Sequence, residues 1–265
     1  MRILVRHVAN TMLLTIDVGN TQTVLGLFDG VELTEHWRIA TVAERTADEL
    51  ALLIKQFLAG SLDKEKPAIT GVAISSGVPR VTAELREMAV AVFGFPALVI
   101  EPGVRTGMPI LYDNPKEVGP DRIANAVAAY EQYGGPSIVV DFGTANTIEA
   151  ISDKGEYLGG AIFPGIEISM DALFGRAAAL RRVELVAPRQ VIGKSTVESI
   201  QSGAVYGFSG QVDTLVRLFE KELGECTVIA TGGLASPILE FSTTIQHHEP
   251  WLTLQGLRII FERNQ

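Results

Sequence analysis

The feature that most constrains this chain is a stretch it carries twice. "LLTIDVGNTQTVLGLFDG" begins at Leu13, and "SIVVDFGTANTIEAISDKG" begins at Ser137. Laid one under the other at a constant offset, Asp17 pairs with Asp141, Gly19 with Gly143, Thr23 with Thr147 and Asp29 with Asp153. Each copy reads as an apolar strand, a D-x-G turn, a second strand and an acidic turn. A match at nearly half the chain length implies duplication, hence two similar α/β domains with a cleft between them. We place them at residues 12–130 and 131–265.

The segments around the repeat support that organisation. Strand-like runs fall at 12–18, 23–29, 31–40, 69–76 and 97–101. "RTADELALLIKQFLAG" offers Thr46 and Glu49 as a capping box, an apolar face of Leu50, Leu53, Ile54, Phe57 and Leu58, and Gly60 as a stop. A second helix starts at Pro79 and ends before Gly94, and a third, "DRIANAVAAYEQYG", ends at Gly134. In the second half "EYLGGAIFPG" reads as a strand, followed by a helix near 167–179 and a long helix from Ser195 with Glu198 as its box partner. Gly203, Gly207 and Gly210 in that helix suggest close packing. "CTVIATGG" reads as a buried strand and a paired-glycine turn.

Composition narrows the class. The chain has 265 residues, 47% of them apolar, with a formal charge of -9 and one cysteine. Such a chain is ordered and large enough to bury a core without staples. The negative balance argues against nucleic acid as partner, because phosphate-backbone binding shows as clustered Lys and Arg. The lone Cys226 has no internal partner, and a reducing, cytoplasmic setting is the simplest reading. The opening "MRILVRHVANTMLLTID" has too short an apolar stretch for a signal peptide, interrupted by Asp17. No run approaches the ~18 apolar residues of a membrane span. We take Met12 as the start of the folded part and residues 1–11 as an extension or start-site choice.

A D-x-G turn between strands gathers backbone N–H groups and small hydroxyls on one concave surface, with the carboxylate at the strand end. That suits phosphate oxygens and a hydrated Mg²⁺. One copy alone reads sooner as an ordinary hairpin in which Asp caps the turn; two copies facing one cleft favour a polyphosphate. Other phosphate motifs are absent. No two glycines are separated by a single residue, which removes the dinucleotide fingerprint. "PRQVIGKS" has Pro188 where a P-loop needs glycine, and Val191-Ile192 look like strand. His7, His36, His247 and His248 lack zinc-site spacing. Between the repeats, Asp121 and Arg122 open a helix after Gly119-Pro120. Two readings stay open: Asp121 complements the helix N-terminus with Arg122 solvated, or Asp121 is a general base and Arg122 an anion clamp.

Six segments carry a resemblance: "DVGNTQTVLG", "DNPKEVGPDRIANAVAAY", "DFGTANT", "GGAIFPGIEISMDALF", "VIGKSTVESIQSGAVYGF" and "LTLQGLR". In this order the chain resembles type III pantothenate kinases, of the superfamily of acetate and sugar kinases, heat-shock ATPases and actin. The resemblance implies two ribonuclease-H-like domains in an actin-like ATPase fold and ATP-dependent phosphorylation of pantothenate to 4'-phosphopantothenate. Asp17, Val18, Gly19, Asn20, Thr21, Gln22, Thr23 and Val24 would then form the ATP phosphate loop, and Thr144 would contact ATP from the second turn. Tyr112, Gly119, Pro120, Asp121, Arg122 and Thr196 would bind pantothenate, with Asp121 as proton acceptor. Asp141 would ligate a monovalent cation, K⁺ or NH₄⁺, alongside Mg²⁺, in a cytoplasmic homodimer. The chain departs from the family at "AAALRR", with Ala177 for Thr and Arg181 for Pro, and carries Asn146 and Glu149 where Thr or an apolar residue and Asp are usual. Alternatives are an accessory protein that binds nucleotide or pantothenate without efficient turnover, and a sugar or acetate kinase. Asp17, Gly19, Asp121 and Asp141 argue against the first; "EVGPDR" and "GKST" argue against the second.

Overall fold

A computed structural model describes residues 12–60, 68–177 and 180–265. The expectation for residues 1–11, and the Ala178-Ala179 part of "AAALRR", lie outside the described residues. The first half runs β1 (Met12–Val18), β2 (Gln22–Asp29), β3 (Glu32–Ala40), α1 (Ala47–Ala59), β4 (Ile69–Ser76), α2 (Pro79–Phe93) and β5 (Leu98–Val99). After a 3₁₀ turn at Pro115–Glu117 come α3 (Pro120–Tyr133), β6 (Ser137–Phe142), β7 (Ala145–Ile151), β8 (Tyr157–Pro164) and α4 (Ile166–Arg176). The chain ends with α5 (Thr196–Leu223), β9 (Thr227–Thr231), α6 (Ser236–Leu239), β10 (His247–His248) and α7 (Leu252–Glu262).

The duplication is written in the sheets. The first has the order β3-β2-β1-β4-β5 and the second β8-β7-β6-β9-β10. In both, an antiparallel meander is followed by strands that join parallel to its first member. The position of the middle strand of each sheet explains its sequence. β1 and β6 have neighbours on both edges and helices on a face, so they are almost wholly apolar. β3, an edge strand, carries Glu32, Glu35, His36 and Arg38, charges that deter pairing with another chain.

Two compact units result. One comprises the described residues up to Gly107 with Lys116–Ala124 and Thr253–Gln265; the other comprises Met108–Pro115 and the described residues of Asn125–Leu252. In the first, Leu14, Ile16, Leu25, Leu27, Val72 and Ile74 meet Leu50, Ile54 and Leu58 of α1 and Val81, Leu85 and Met88 of α2. Each such side chain contributes roughly 1.5–3 kcal/mol by burial. The Thr46/Glu49 box forms as expected, and Glu84 of α2 also accepts the Ala47 N–H at 2.7 Å. Strand alternation sends Thr15, Asp17, Gly26 and Gly71 to the other face, where α7 packs: a Cβ at Gly26 would meet Leu254, and one at Gly71 would strike the Phe261 ring. In the second unit Ile138, Val140, Phe142 and Ile148 pack with Ile166, Phe208, Val212 and Val216 from α4 and α5.

Three local expectations change. Ser195 accepts the Glu198 N–H at 3.2 Å, but the Glu198 carboxylate takes the Lys194 N–H at 3.1 Å and pairs with Arg189, so the box is only half made. Val191 and Ile192 are not strand but exposed bends, 60% and 80% accessible, because no neighbouring strand is there to pair with them. Gly203, Gly207 and Gly210 make no close packing among the described residues: a Cβ at each would meet nothing within 4 Å. Their face of α5 is open.

Candidate active site

The first acidic turn is built by β1 and β2. Asp17 pairs across the sheet with Val24 and Val18 with Thr23; the Gly19 N–H closes the tip onto the Gln22 carbonyl at 3.0 Å. A hydroxyl ladder stiffens the tip from outside the motif. Thr41, just past β3, donates to the Gly19 carbonyl and shares a hydrogen bond with Thr23, both 2.8 Å, while its N–H reaches the Thr21 carbonyl. Asn20, Thr21 and Gln22 remain exposed, and Asp17 is half-buried at the strand end. Thr41 was not singled out in the sequence, since a lone Thr after an edge strand looks like any loop residue.

The second turn has the same parts with one residue fewer. Asp141 pairs with Thr147, six positions on, whereas Asp17 pairs with Val24, seven positions on. The alignment of Thr23 with Thr147 therefore holds in sequence but not in register. Thr147 takes the place of Val24, both half-buried, and Asn146 takes that of Thr23, both buried. In a strand a slip of one residue exchanges faces, so the burial pattern settles which pairing is structural. Asn146 is fully buried, with neither side-chain amide atom hydrogen-bonded to a described residue.

Asp141 sits on the face opposite the core of its sheet. Asn125 Nδ2 donates to its Oδ2 at 2.9 Å, and the other oxygen lies against Gly232, where a Cβ would fill the space 2.5 Å away. Gly232 has φ +93°, so both its conformation and the carboxylate exclude a larger residue. Thr144, exposed at the tip, gives its carbonyl to the Gly165 N–H at 3.1 Å, which ties the turn to the start of α4. Asn125 is the partner the sequence reading missed. Its signal was a polar residue inside the apolar run of "DRIANAVAAY".

Asp121 lies in the first turn of α3 with an exposed carboxylate, and its Oδ1 accepts the Arg122 N–H at 2.9 Å. A Cβ on Gly119 would collide with that carboxylate, so glycine leaves the room in which the acid lies. Arg122 is only 7% accessible, which removes the reading of a solvated arginine. Tyr112 is half-buried and meets the edge of Tyr157 at 6.3 Å between ring centroids. Thr196 is the first residue of α5 and lines a cavity of about 920 Å³ with Ser169, Met170, Leu173, Lys194 and Ser199.

Of the anticipated residues, the first unit holds Asp17–Val24 and Gly119–Arg122; the second holds Tyr112, Asp141, Thr144 and Thr196. Among the described residues no three or more His, Cys, Asp or Glu gather as a metal cage. Carboxylates that stand singly are the donor set of a Mg²⁺ carried mainly on substrate phosphates rather than of an all-protein cage. Cysteine chemistry is not offered: burial, then the Glu220 charge, pushes the Cys226 thiol up to about 11, so it stays protonated at neutral pH. No helix of the described residues is long and apolar enough to cross a membrane.

Known proteins align with this picture. Residues 13–218 match the family model of type III pantothenate kinase. A protein of Streptomyces griseus named type III pantothenate kinase is 60% identical over 261 residues, covering 96% of this chain and 98% of that protein. Among solved structures, a putative Baf family transcriptional activator from Campylobacter jejuni superposes with a TM-score of 0.58 at 20% identity, covering 95% of this chain and 98% of that one. An inorganic polyphosphate/ATP-glucomannokinase from Arthrobacter does so with 0.53 at 17% identity, covering 97% and 100%. These two likenesses establish the fold, that of the actin-like ATPases and sugar kinases.

Proposed function

The chain belongs to the type III pantothenate kinase family, and from that premise we propose that it transfers the γ-phosphoryl group of ATP to the hydroxyl of pantothenate, giving 4'-phosphopantothenate and ADP at the entry to coenzyme A synthesis. It is an ATP-dependent kinase, and the near full-length likeness to its relatives carries that reading. The local geometry supports the division of labour. The Asp17–Val24 tip binds ATP phosphates at its exposed Asn20, Thr21 and Gln22, with Thr144 contacting ATP from the second turn. Tyr112, Gly119, Pro120, Arg122 and Thr196 bind pantothenate. Arg122 pairs with its carboxylate, an arrangement that low accessibility strengthens by excluding water.

Asp121 acts as the general base. Its carboxylate accepts the hydroxyl proton as the oxygen bonds to the γ-phosphorus and the bond to ADP breaks. The exposed carboxylate at the first turn of α3, held over Gly119, is the observation that supports this role. Phosphoryl transfer asks mainly for positioning and charge neutralisation, so one base and two donor-rich turns suffice. A bound Mg²⁺ and a K⁺ or NH₄⁺ at Asp141 would supply the charge neutralisation that carboxylates near a triphosphate require.

The functional form of this reading is a cytoplasmic homodimer. The open glycine face of α5, with exposed Val197 and Leu218 on the same helix and Ile168 and Leu173 on α4, supports burial against a second copy. A coupled assay of ADP release with pantothenate, ATP and Mg²⁺ tests the reaction. We expect turnover with K⁺ or NH₄⁺ and little in Na⁺ alone. ADP release that ignores pantothenate would remove the kinase reading, and equal rates in the three salts would unseat Asp141 from its cation role.

A further inference from the structure

Tyr157 is the largest fully buried side chain to touch a residue assigned to the substrate, and three of its contacts converge on that residue's segment. Its backbone N–H donates to the Pro109 carbonyl at 2.9 Å, and its carbonyl accepts the Leu111 N–H at 2.8 Å, so a parallel bridge forms at Ile110. Its ring meets Tyr112 edge-on, at 61° between the planes. Its hydroxyl donates to Oε2 of Glu149 on the neighbouring strand. Glu149 is itself fully buried, and a Cβ on Gly160, its cross-strand partner, would stand 3.1 Å from the same oxygen. Tyr112 in turn rests over Gly159, where a Cβ would make contact at 3.5 Å. At Gly160 the bare Cα admits the Ile148 carbonyl first and the Glu149 carboxylate beside it, while Gly159, at φ +132°, is fixed as glycine by its backbone conformation rather than by the ring.

A fully buried carboxylate is costly unless hydrogen-bonded. An O–H to carboxylate bond is among the stronger ones and fixes the donor ring, since it removes the freedom of the phenol tip. Leu111 is pinned by the backbone of Tyr157, and Tyr112 by its ring. We infer that Glu149 and Tyr157 are positioning residues for pantothenate binding: Glu149 locks Tyr157, and Tyr157 sets the place and tilt of Tyr112. The inference rests on the assignment of Tyr112 to the pantothenate site. It also gives a reason for glutamate at 149, whose extra methylene relative to aspartate carries the carboxylate out to the Tyr157 hydroxyl.

The test measures steady-state kinetics for both substrates, with thermal melting as control. Tyr157→Phe should raise the pantothenate KM about tenfold and leave kcat and the ATP KM within about twofold. Glu149→Gln, which keeps an acceptor of the same length, should stay within about threefold of the unaltered enzyme in every parameter. Glu149→Asp withdraws the carboxylate and should repeat the pantothenate-specific rise, which keeps the question answerable if Tyr157→Phe does not fold. Tyr112→Ala separates premise from inference. If it leaves the pantothenate KM unchanged, the site assignment falls and takes the inference with it. If it raises that KM while Tyr157→Phe and Glu149→Asp do not, only the positioning role is overturned. A fall in kcat and both affinities that follows the loss of melting temperature would also overturn it, since a purely structural pair behaves so.

Discussion

A single absent methyl group decides where the Asp121 carboxylate lies. Gly119 precedes α3 by one residue, and the Asp121 carboxylate occupies the volume that any Cβ at 119 would claim. Because the obstacle is the end of a flexible side chain rather than backbone, Gly119→Ala should fold with stability within about 0.5 kcal/mol of the original. It should nevertheless lower kcat, because the carboxylate must turn away; an unchanged kcat in the assay would show that its place over Gly119 is immaterial. Asp121→Asn keeps the shape and removes the basicity. Turnover should fall roughly 10²- to 10⁴-fold with ATP affinity unchanged, and calorimetric titration with ATP beside the rate measurement checks both halves of that statement. Asp121 itself was legible in the sequence as an acid opening a helix. Its relation to Gly119 was not, because a side chain folding back over the residue two before it has no periodic signature.

At the scale of elements, α5 is held to the loop after α6 by one carboxylate. Asp213 accepts hydrogen bonds from the Ser242, Thr243 and Thr244 hydroxyls and the Thr243 N–H, between 2.5 and 3.2 Å. Burial alone would raise its pKa, but these donors together outweigh burial and hold the carboxyl below its ordinary value. A carboxyl with a lowered folded-state pKa stabilises fully above its unfolded value, about 3.9, and loses that contribution as pH falls through the folded one. Asp213→Asn should therefore cost about 1–3 kcal/mol near neutral pH. The gap in melting temperature between the two proteins should close as the pH is taken below about 4; a gap independent of pH would deny the carboxylate its part. The pattern around 213 gave no hint of this clamp. Helix periodicity placed α5, but the loop that reaches it is 29 to 31 residues further on, a separation no local pattern spans. Elements with their own signals fared differently: the Thr46 box and the stops at Gly60 and Gly94 appear as read, because a cap satisfies its helix within four residues.

For the whole molecule, the duplicated topology and the open face of α5 matter most. If a second copy covers that face, the protein should sediment at twice its 28.5 kDa chain mass, and Gly207→Arg should return it to the single-chain value. A wild-type protein that sediments as one chain would dismiss the homodimer. What the sequence determined by itself was the pair of strand–turn–strand units, the order of elements and the acids at the turns, since each is fixed by alternation, glycine placement and local capping. Tertiary structure alone decided the one-residue difference between the two turns, because register depends on which neighbouring strand and which core face a residue meets. It also decided that the final helix packs on the first sheet through Leu254 and Phe261, that Asn125 holds Asp141, that Thr41 braces the tip of the first turn, and that Tyr157 meets Tyr112. Those contacts join residues far apart in the chain, and only the folded backbone brings them within hydrogen-bonding or van der Waals reach.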